Sequence, residues 1–109
     1  MIIYNVTINI EDSVHEEWLE WMKTIHIPEV MSTGLFSGNK ILKVLGSFEK
    51  AGEISRDPDG TTYSIQYLCD SMKEYEHYHS AFAPALQAKH TEKYKGKFVA
   101  FRTLLEIIK

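Results

Sequence analysis

Apolar and polar residues alternate without interruption from Ile2 to Ile10. Ile2, Tyr4, Val6, Ile8 and Ile10 fall on one side, and Ile3, Asn5, Thr7 and Asn9 on the other. That period of two predicts a half-buried strand. Beyond it the period lengthens. Val14, Trp18, Trp21, Met22 and Ile25 recur at helical spacing, with His15, Glu16, Glu17, Glu20 and Lys23 elsewhere on the wheel, so an amphipathic helix is expected. Ser13-x-x-Glu16 has the form of a capping box at its start. Pro28 is expected to end or kink the helix, with a short turn over residues 28–32. Gly34 then closes that turn in the left-handed conformation. A second strand is predicted over 36–45, with Ile41, Leu42, Val44 and Leu45 crowded together.

The polar stretch 47–60 contains Asp57-Pro58-Asp59-Gly60, a turn signal, and predicts a hairpin with a long or twisted tip. Residues 61–69 form the next predicted strand, with Tyr63, Ile65, Tyr67 and Cys69 opposite Thr62, Ser64 and Gln66. A second capping-box pattern, Ser71-x-x-Glu74, opens a helix whose stripe is Met72, Tyr75, His79, Phe82 and Leu86. Pro84 lies inside it, so two pieces meeting near Phe82 are expected. Residues 98–108 form the last predicted strand. Val99, Phe101, Thr103, Leu105 and Ile107 share one side; Phe98, Ala100, Arg102, Leu104 and Glu106 share the other.

This β-α-β-β-α-β order predicts one α+β domain over residues 1–109, with a ferredoxin-like fold: a four-stranded antiparallel sheet in the order 4-1-3-2, both helices on one face. Nothing in the chain covers the other face. The alternation places Asn5, Thr7, Ser64, Gln66 and Arg102 there, mixed with Ile3, Phe98 and Leu104. That mixture is too apolar for a solvated sheet, and it predicts a homodimer packed sheet on sheet through Ile3, Asn5, Gln66, Phe98, Arg102 and Leu104.

Composition fits an ordinary globular chain, at 44% hydrophobic and 25% charged residues with a formal net charge of -3. A nucleic-acid partner would call for a basic excess. Lys89, Lys93, Lys95 and Lys97 cluster late in the chain, but Glu92 sits among them, and cations favour helix C-termini in any case. Cys69 is the only cysteine, so an intrachain disulfide is excluded. The N-terminal residues lack the basic region of a signal peptide, and no apolar run approaches the ~20 residues of a membrane helix. A cytoplasmic protein without a membrane partner is expected.

Candidate chemistry is sparse. Trp18, Trp21, Tyr75, Tyr78 and Phe82 give the helices a heavy aromatic load, suited equally to a core and to the wall of a pocket. Trp18, Trp21, Tyr67 and Phe82 are the candidate pocket residues for a small molecule. His26 stands beside a helix break and His79 on an apolar stripe; either imidazole could move a proton near neutral pH. No metal is expected. His77 and His79 point to opposite sides of a helix, and no HExxH or CxxC spacing occurs. No cofactor fingerprint occurs either.

The element order resembles that of the dimeric α/β-barrel superfamily of ferredoxin-like proteins. The segments Trp18 to Met22, His26 to Gly34, Tyr63 to Tyr67 and Phe98 to Glu106 resemble a small domain-of-unknown-function family within it. That resemblance spans nearly the whole chain and implies a fold without an activity. The superfamily includes cofactor-independent monooxygenases, lactone isomerases, dehydratases and haem peroxidases. It implies a cavity between sheet and helices, lined here by Trp18, Trp21, His26, Tyr67 and His79. With no catalytic motif present, a dimeric module binding a small ligand or a protein is expected. The alternative is a cofactor-independent monooxygenase- or isomerase-like enzyme acting on a small, partly aromatic or hydrophobic molecule.

Overall fold

A computed structural model of the chain describes residues 1–48, 54–55 and 59–109. Strand β1 (Ile2–Glu11) is the centre of the structure. It pairs antiparallel with β5 (Gly60–Cys69) on one side and β6 (Phe98–Glu106) on the other. Strand β2 (Gly38–Lys43) adds to β5, so the sheet runs β2-β5-β1-β6, or β6-β1-β5-β2 from the opposite edge. Short strands β3 (Ser47–Phe48) and β4 (Ile54–Ser55) pair beyond β2. Asp57 and Pro58 of the predicted turn lie outside the described residues.

The helices cover one face. Ile2, Tyr4, Val6, Ile8 and Ile10 of β1 and Tyr63, Ile65, Tyr67 and Cys69 of β5 are buried in one core with Trp18, Met22, Ile27, Val30, Tyr78, Leu86 and Tyr94. The first helical run is α1 (His15–Trp21), a π turn over Met22–His26, and α2 (Ile27–Met31). It differs from expectation at both ends. Ser13 caps nothing; a 3-10 turn over Asp12–Val14 leads into α1 instead. The chain leaves β1 already tied down there, because the Asp12 amide donates to the Asp59 carbonyl at 3.0 Å and the Thr61 hydroxyl donates to Asp12 Oδ1 at 2.8 Å. Nor does Pro28 stop the helix. The Ile27 amide reaches back five residues to the Met22 carbonyl, which places Pro28 in the first turn of α2, where its missing N–H costs nothing. The helix ends at Met31, and Gly34 closes the turn at φ 77°, its amide donating to the Met31 carbonyl.

The second run breaks at Phe82 into α3 (Met72–Ala81) and α4 (Ala83–Lys93), as Pro84 predicts. The break also resets the helical phase. The buried residues are Tyr78, then Ala83, Leu86 and His90. A stripe drawn without a reset runs through Met72 and His79, and both are exposed. Trp18 of α1 is fully buried and donates its indole N–H to His90 Nε2 of α4 at 2.9 Å, locking the two helical runs together above the sheet.

Strand β6 corrects the assignment of faces. Val6 lies opposite Arg102, Tyr4 opposite Leu104 and Ile10 opposite Phe98. Paired residues in a ladder share a face, so Phe98, Arg102 and Leu104 belong to the helix side and not to the uncovered face. The uncovered face instead carries Val99, Phe101, Thr103 and Leu105, opposite Asn9, Thr7, Asn5 and Ile3. Of the residues expected on it, Ile3, Asn5, Thr7, Ser64 and Gln66 are there.

The Gly34 turn gives a direct test of this path. A Cβ at position 34 meets nothing within 4 Å, so Gly34→Ala isolates the cost of a positive φ. A loss of about 1 kcal/mol in urea unfolding, at unchanged denaturant slope, is the expected result.

Candidate functional site

Between the helices and the inner face of β1, β5 and β6 lies a small cavity with a volume of about 30 Å³. That is room for one or two waters and far below the ~300 Å³ at which drug-sized pockets begin. Its wall is aromatic and apolar, with polar groups contributed by Tyr4, Tyr67, Tyr78, His26, Gln87, His90 and Arg102. Among the described residues, no aspartate or glutamate lines it.

Each polar group is positioned by a neighbour. Tyr4, on β1, packs against Phe36, Tyr67, Tyr75 and Tyr78 at ring distances of 5.1–6.2 Å. Its hydroxyl accepts a hydrogen bond from Arg102 Nε at 3.1 Å. Because Trp18 donates to His90 Nε2, that nitrogen carries no proton and His90 is the neutral Nδ1–H tautomer. Burial holds the His90 pKa down to about 4, with the charges of His26 and Arg102 pushing the same way. His26, carried by the π turn, stacks on Trp21 at 5.0 Å and lies 5.7 Å from the His90 ring. Burial lowers it to about 4 as well; Glu29 pulls it up and Lys89 pushes it down. Glu29 and Lys89 are themselves paired at 2.9 Å, joining α2 to α4 beside this ring. His26 Nδ1 is buried and has no hydrogen-bond partner. The Tyr67 and Tyr78 hydroxyls are pushed well above the ordinary phenol value, chiefly by burial, and stay protonated as donors.

The candidate residues divide. His26 and Tyr67 line the cavity. Trp18 and Trp21 stand behind the lining, one bonded to His90 and the other stacked on His26. Phe82 sits half-buried at the joint between α3 and α4, its ring 5.8 Å from His77. His79 is exposed and stacks on Tyr75; it follows the buried Tyr78 on α3, about 100° farther round the helix, and faces away from the sheet. Tyr4, Tyr78, Gln87, His90 and Arg102 are the polar lining groups that sequence reasoning missed. His90 had a signal, since it follows Leu86 by four positions on the same side of a helix.

The uncovered face is built differently. Ser64 donates to Asn5 Oδ1 at 2.5 Å, Asn5 donates to Thr7 at 3.0 Å, and Asn9 donates to Thr62 at 3.0 Å. These bonds satisfy the polar centre internally. Beside it on β6, Val99 is 72% exposed, Phe101 62% and Leu105 43%. Among the described residues, no helix is long and apolar enough to cross a membrane.

Solved structures similar over nearly the whole chain include the following three. One is a dimeric ferredoxin-like protein from an uncultured marine organism, at 13% identity and TM-score 0.66, covering 100% of this chain and 96% of that one. The second is an ethyl tert-butyl ether d (ethd) family protein from Bacillus halodurans c-125, at 16% identity and TM-score 0.62, covering 99% and 100%. The third is a MhuD mutant with two manganese protoporphyrin IX bound per active site, at 14% identity and TM-score 0.60, covering 100% and 96%. At such identities the likeness shows the fold, which is ferredoxin-like α+β. No curated protein matches the chain. A family model does match, over residues 1–108, and the chain belongs to the family it describes, Domain of unknown function (DUF4286).

Proposed function

We propose that the protein is a homodimeric binding module, with two sheets packed face to face and one small molecule held between the sheet and helices of each protomer. The observation that carries this reading is the contrast between the two faces of β6. Its even-numbered residues complete a polar, aromatic cavity, while its odd-numbered residues form an apolar strip that none of the described residues covers. An exposed apolar strip beside an internally satisfied polar centre suits a partner surface. From Ile3 to Asn9 on β1 and from Val99 to Leu105 on β6, this face carries no charged side chain; Lys40 of β2, opposite Gln66, stands toward its far edge. Two of the similar solved structures are described as dimeric ferredoxin-like proteins, which supports a second copy as the occupant.

Binding is favoured over catalysis by the state of the imidazoles. A general base works best with a pKa near ambient pH, and His26 and His90 are held at about 4. At neutral pH they are uncharged hydrogen-bonding groups. The unpartnered His26 Nδ1 supports a second reading, a cofactor-independent monooxygenase- or isomerase-like enzyme acting on a small aromatic or hydrophobic molecule. That reading requires the His26 pKa to rise toward neutrality in the ligand complex, which an NMR titration of the imidazole would show.

Light scattering at micromolar concentration should return twice the chain mass. Phe101→Glu, which sets a carboxylate in the apolar strip of both copies, should weaken the dimer at least about 100-fold. A wild-type protein that stays monomeric would sink the dimer. A second outcome concerns pH. Both imidazoles have folded pKa values below the ordinary 6.5, so between pH 6.5 and about 4 the unfolded chain takes up protons that the folded chain refuses. Stability is therefore full above that window and falls as the pH drops through it. The loss is about 2–3 kcal/mol for each imidazole, and less for the partly exposed His26. His90→Gln keeps an acceptor for Trp18 but cannot titrate, so urea melts from pH 7 to pH 4 should show roughly half the wild-type drop.

A further inference from the structure

We infer that the ligand of this cavity is a small monocarboxylate, its carboxylate paired with the Arg102 guanidinium at the mouth and its short apolar body inserted among Tyr4, Tyr67 and Tyr78. The inference rests on the reading that the cavity holds a small molecule, and it adds the charge and size of that molecule.

The charge balance comes first. Among the described residues, Arg102 is the only charged one in the lining. The neutral imidazoles add nothing to it, and no carboxylate opposes it. Two surface lysines of this chain have acidic partners: Lys89 pairs with Glu29, and Lys97 with Glu11. Arg102 makes no ion pair among the described residues. Its positive charge nevertheless reaches into the cavity, since it is one of the influences lowering the titration of Tyr75, Tyr78 and His90. A cationic ligand would meet that charge with nothing to offset it, whereas an anion supplies the missing partner.

Geometry comes second. The Tyr4 ring is packed against four other aromatic rings, so its hydroxyl is a fixed point. Arg102 Nε is bonded to that hydroxyl, which orients the planar guanidinium and leaves its terminal N–H groups to the ligand. A carboxylate takes two parallel N–H bonds from such groups. Arg102 itself is exposed, so the anion can keep part of its hydration while the body behind it is desolvated.

Size comes third. With about 30 Å³ of free volume, room for one or two waters, the interior admits a methyl group or little more and excludes a longer body or a ring system. A single guanidinium, with no lysine in the lining, matches a single negative charge better than a phosphate dianion.

The test is a titration of the ¹⁵N-labelled protein with acetate and with its neutral isostere acetamide. The probes are the Trp18 indole N–H, which reports on His90, and the Arg102 Nε–H. Acetate should shift both saturably, and acetamide should bind at least about tenfold more weakly. Arg102→Met, which keeps the stem and loses the charge, should remove that preference, and Arg102→Lys should restore only part of it. If acetamide binds as tightly as acetate, or if Arg102→Met binds acetate unchanged, the carboxylate assignment is wrong while the cavity remains a binding site. If neither compound moves the Trp18 resonance, the small-molecule reading falls as well.

Discussion

Strand β1 lies between β5 and β6, and its pairing with β6 sets Val6 opposite Arg102. Everything chemical in the molecule depends on that register. Side chains alternate along a strand, so a slip of one residue exchanges the two faces. It would carry Arg102 to the uncovered face and drive Val99 and Phe101 under the helices. In the observed register the sole cation of the lining meets the Tyr4 hydroxyl, and the apolar strip of β6 lies beside Asn5, Thr7 and Asn9. The pairing of β1 with β5 fixes the other half of this arrangement, with Asn5 opposite Gln66 and Tyr4 opposite Tyr67. One pair of ladders thus assembles a polar centre on one face and an aromatic cluster on the other.

The helices then determine what kind of cavity the aromatic face encloses. The bond from Trp18 to His90 ties α1 to α4 and removes the proton from His90 Nε2. The π turn carries His26 to the same place from the other side. Two imidazoles so close together in a dry wall would repel if both were charged, and burial alone already disfavours charging either. The neutral pair is the consequence. A wall of neutral donors and acceptors with one cation at its edge is suited to recognising a molecule by shape and charge, and poorly suited to taking a proton from it at neutral pH.

How much of this was legible in the sequence varied with the strand. β1 and β5 are apolar on one side and polar on the other, so their inward faces follow from alternation alone. β6 is apolar on both sides: Phe98, Ala100 and Leu104 against Val99, Phe101 and Leu105. Alternation locates such a strand but cannot orient it. Arg102, Phe98 and Leu104 share one side of that alternation, and the side was assigned to the uncovered face. Only the ladder to β1 settles the point. The helices show the same division. Pro84 announced a break at Phe82, but no local pattern announced that Tyr78 and not its neighbour His79 would face the sheet, or that His90 would join it from α4. Pro28 looked like a stop because a π turn has no sequence signature as plain as a proline.

The double use of β6 has a mechanical consequence. It is an edge strand, bonded to β1 and to no other strand of the sheet, and an edge strand is held less firmly than a central one. Ala100 and Arg102 alternate with Val99, Phe101 and Thr103, so nothing can press on the outer side chains without also fixing the backbone that aims the guanidinium. A partner seated on Val99 and Phe101 would immobilise the segment from which Arg102 reaches Tyr4. The ordering cost of that segment would then be met on association, and a ligand entering the cavity would face a guanidinium already in place. Strand alternation alone thus links the apolar outer strip to the cavity, across the thickness of a single sheet.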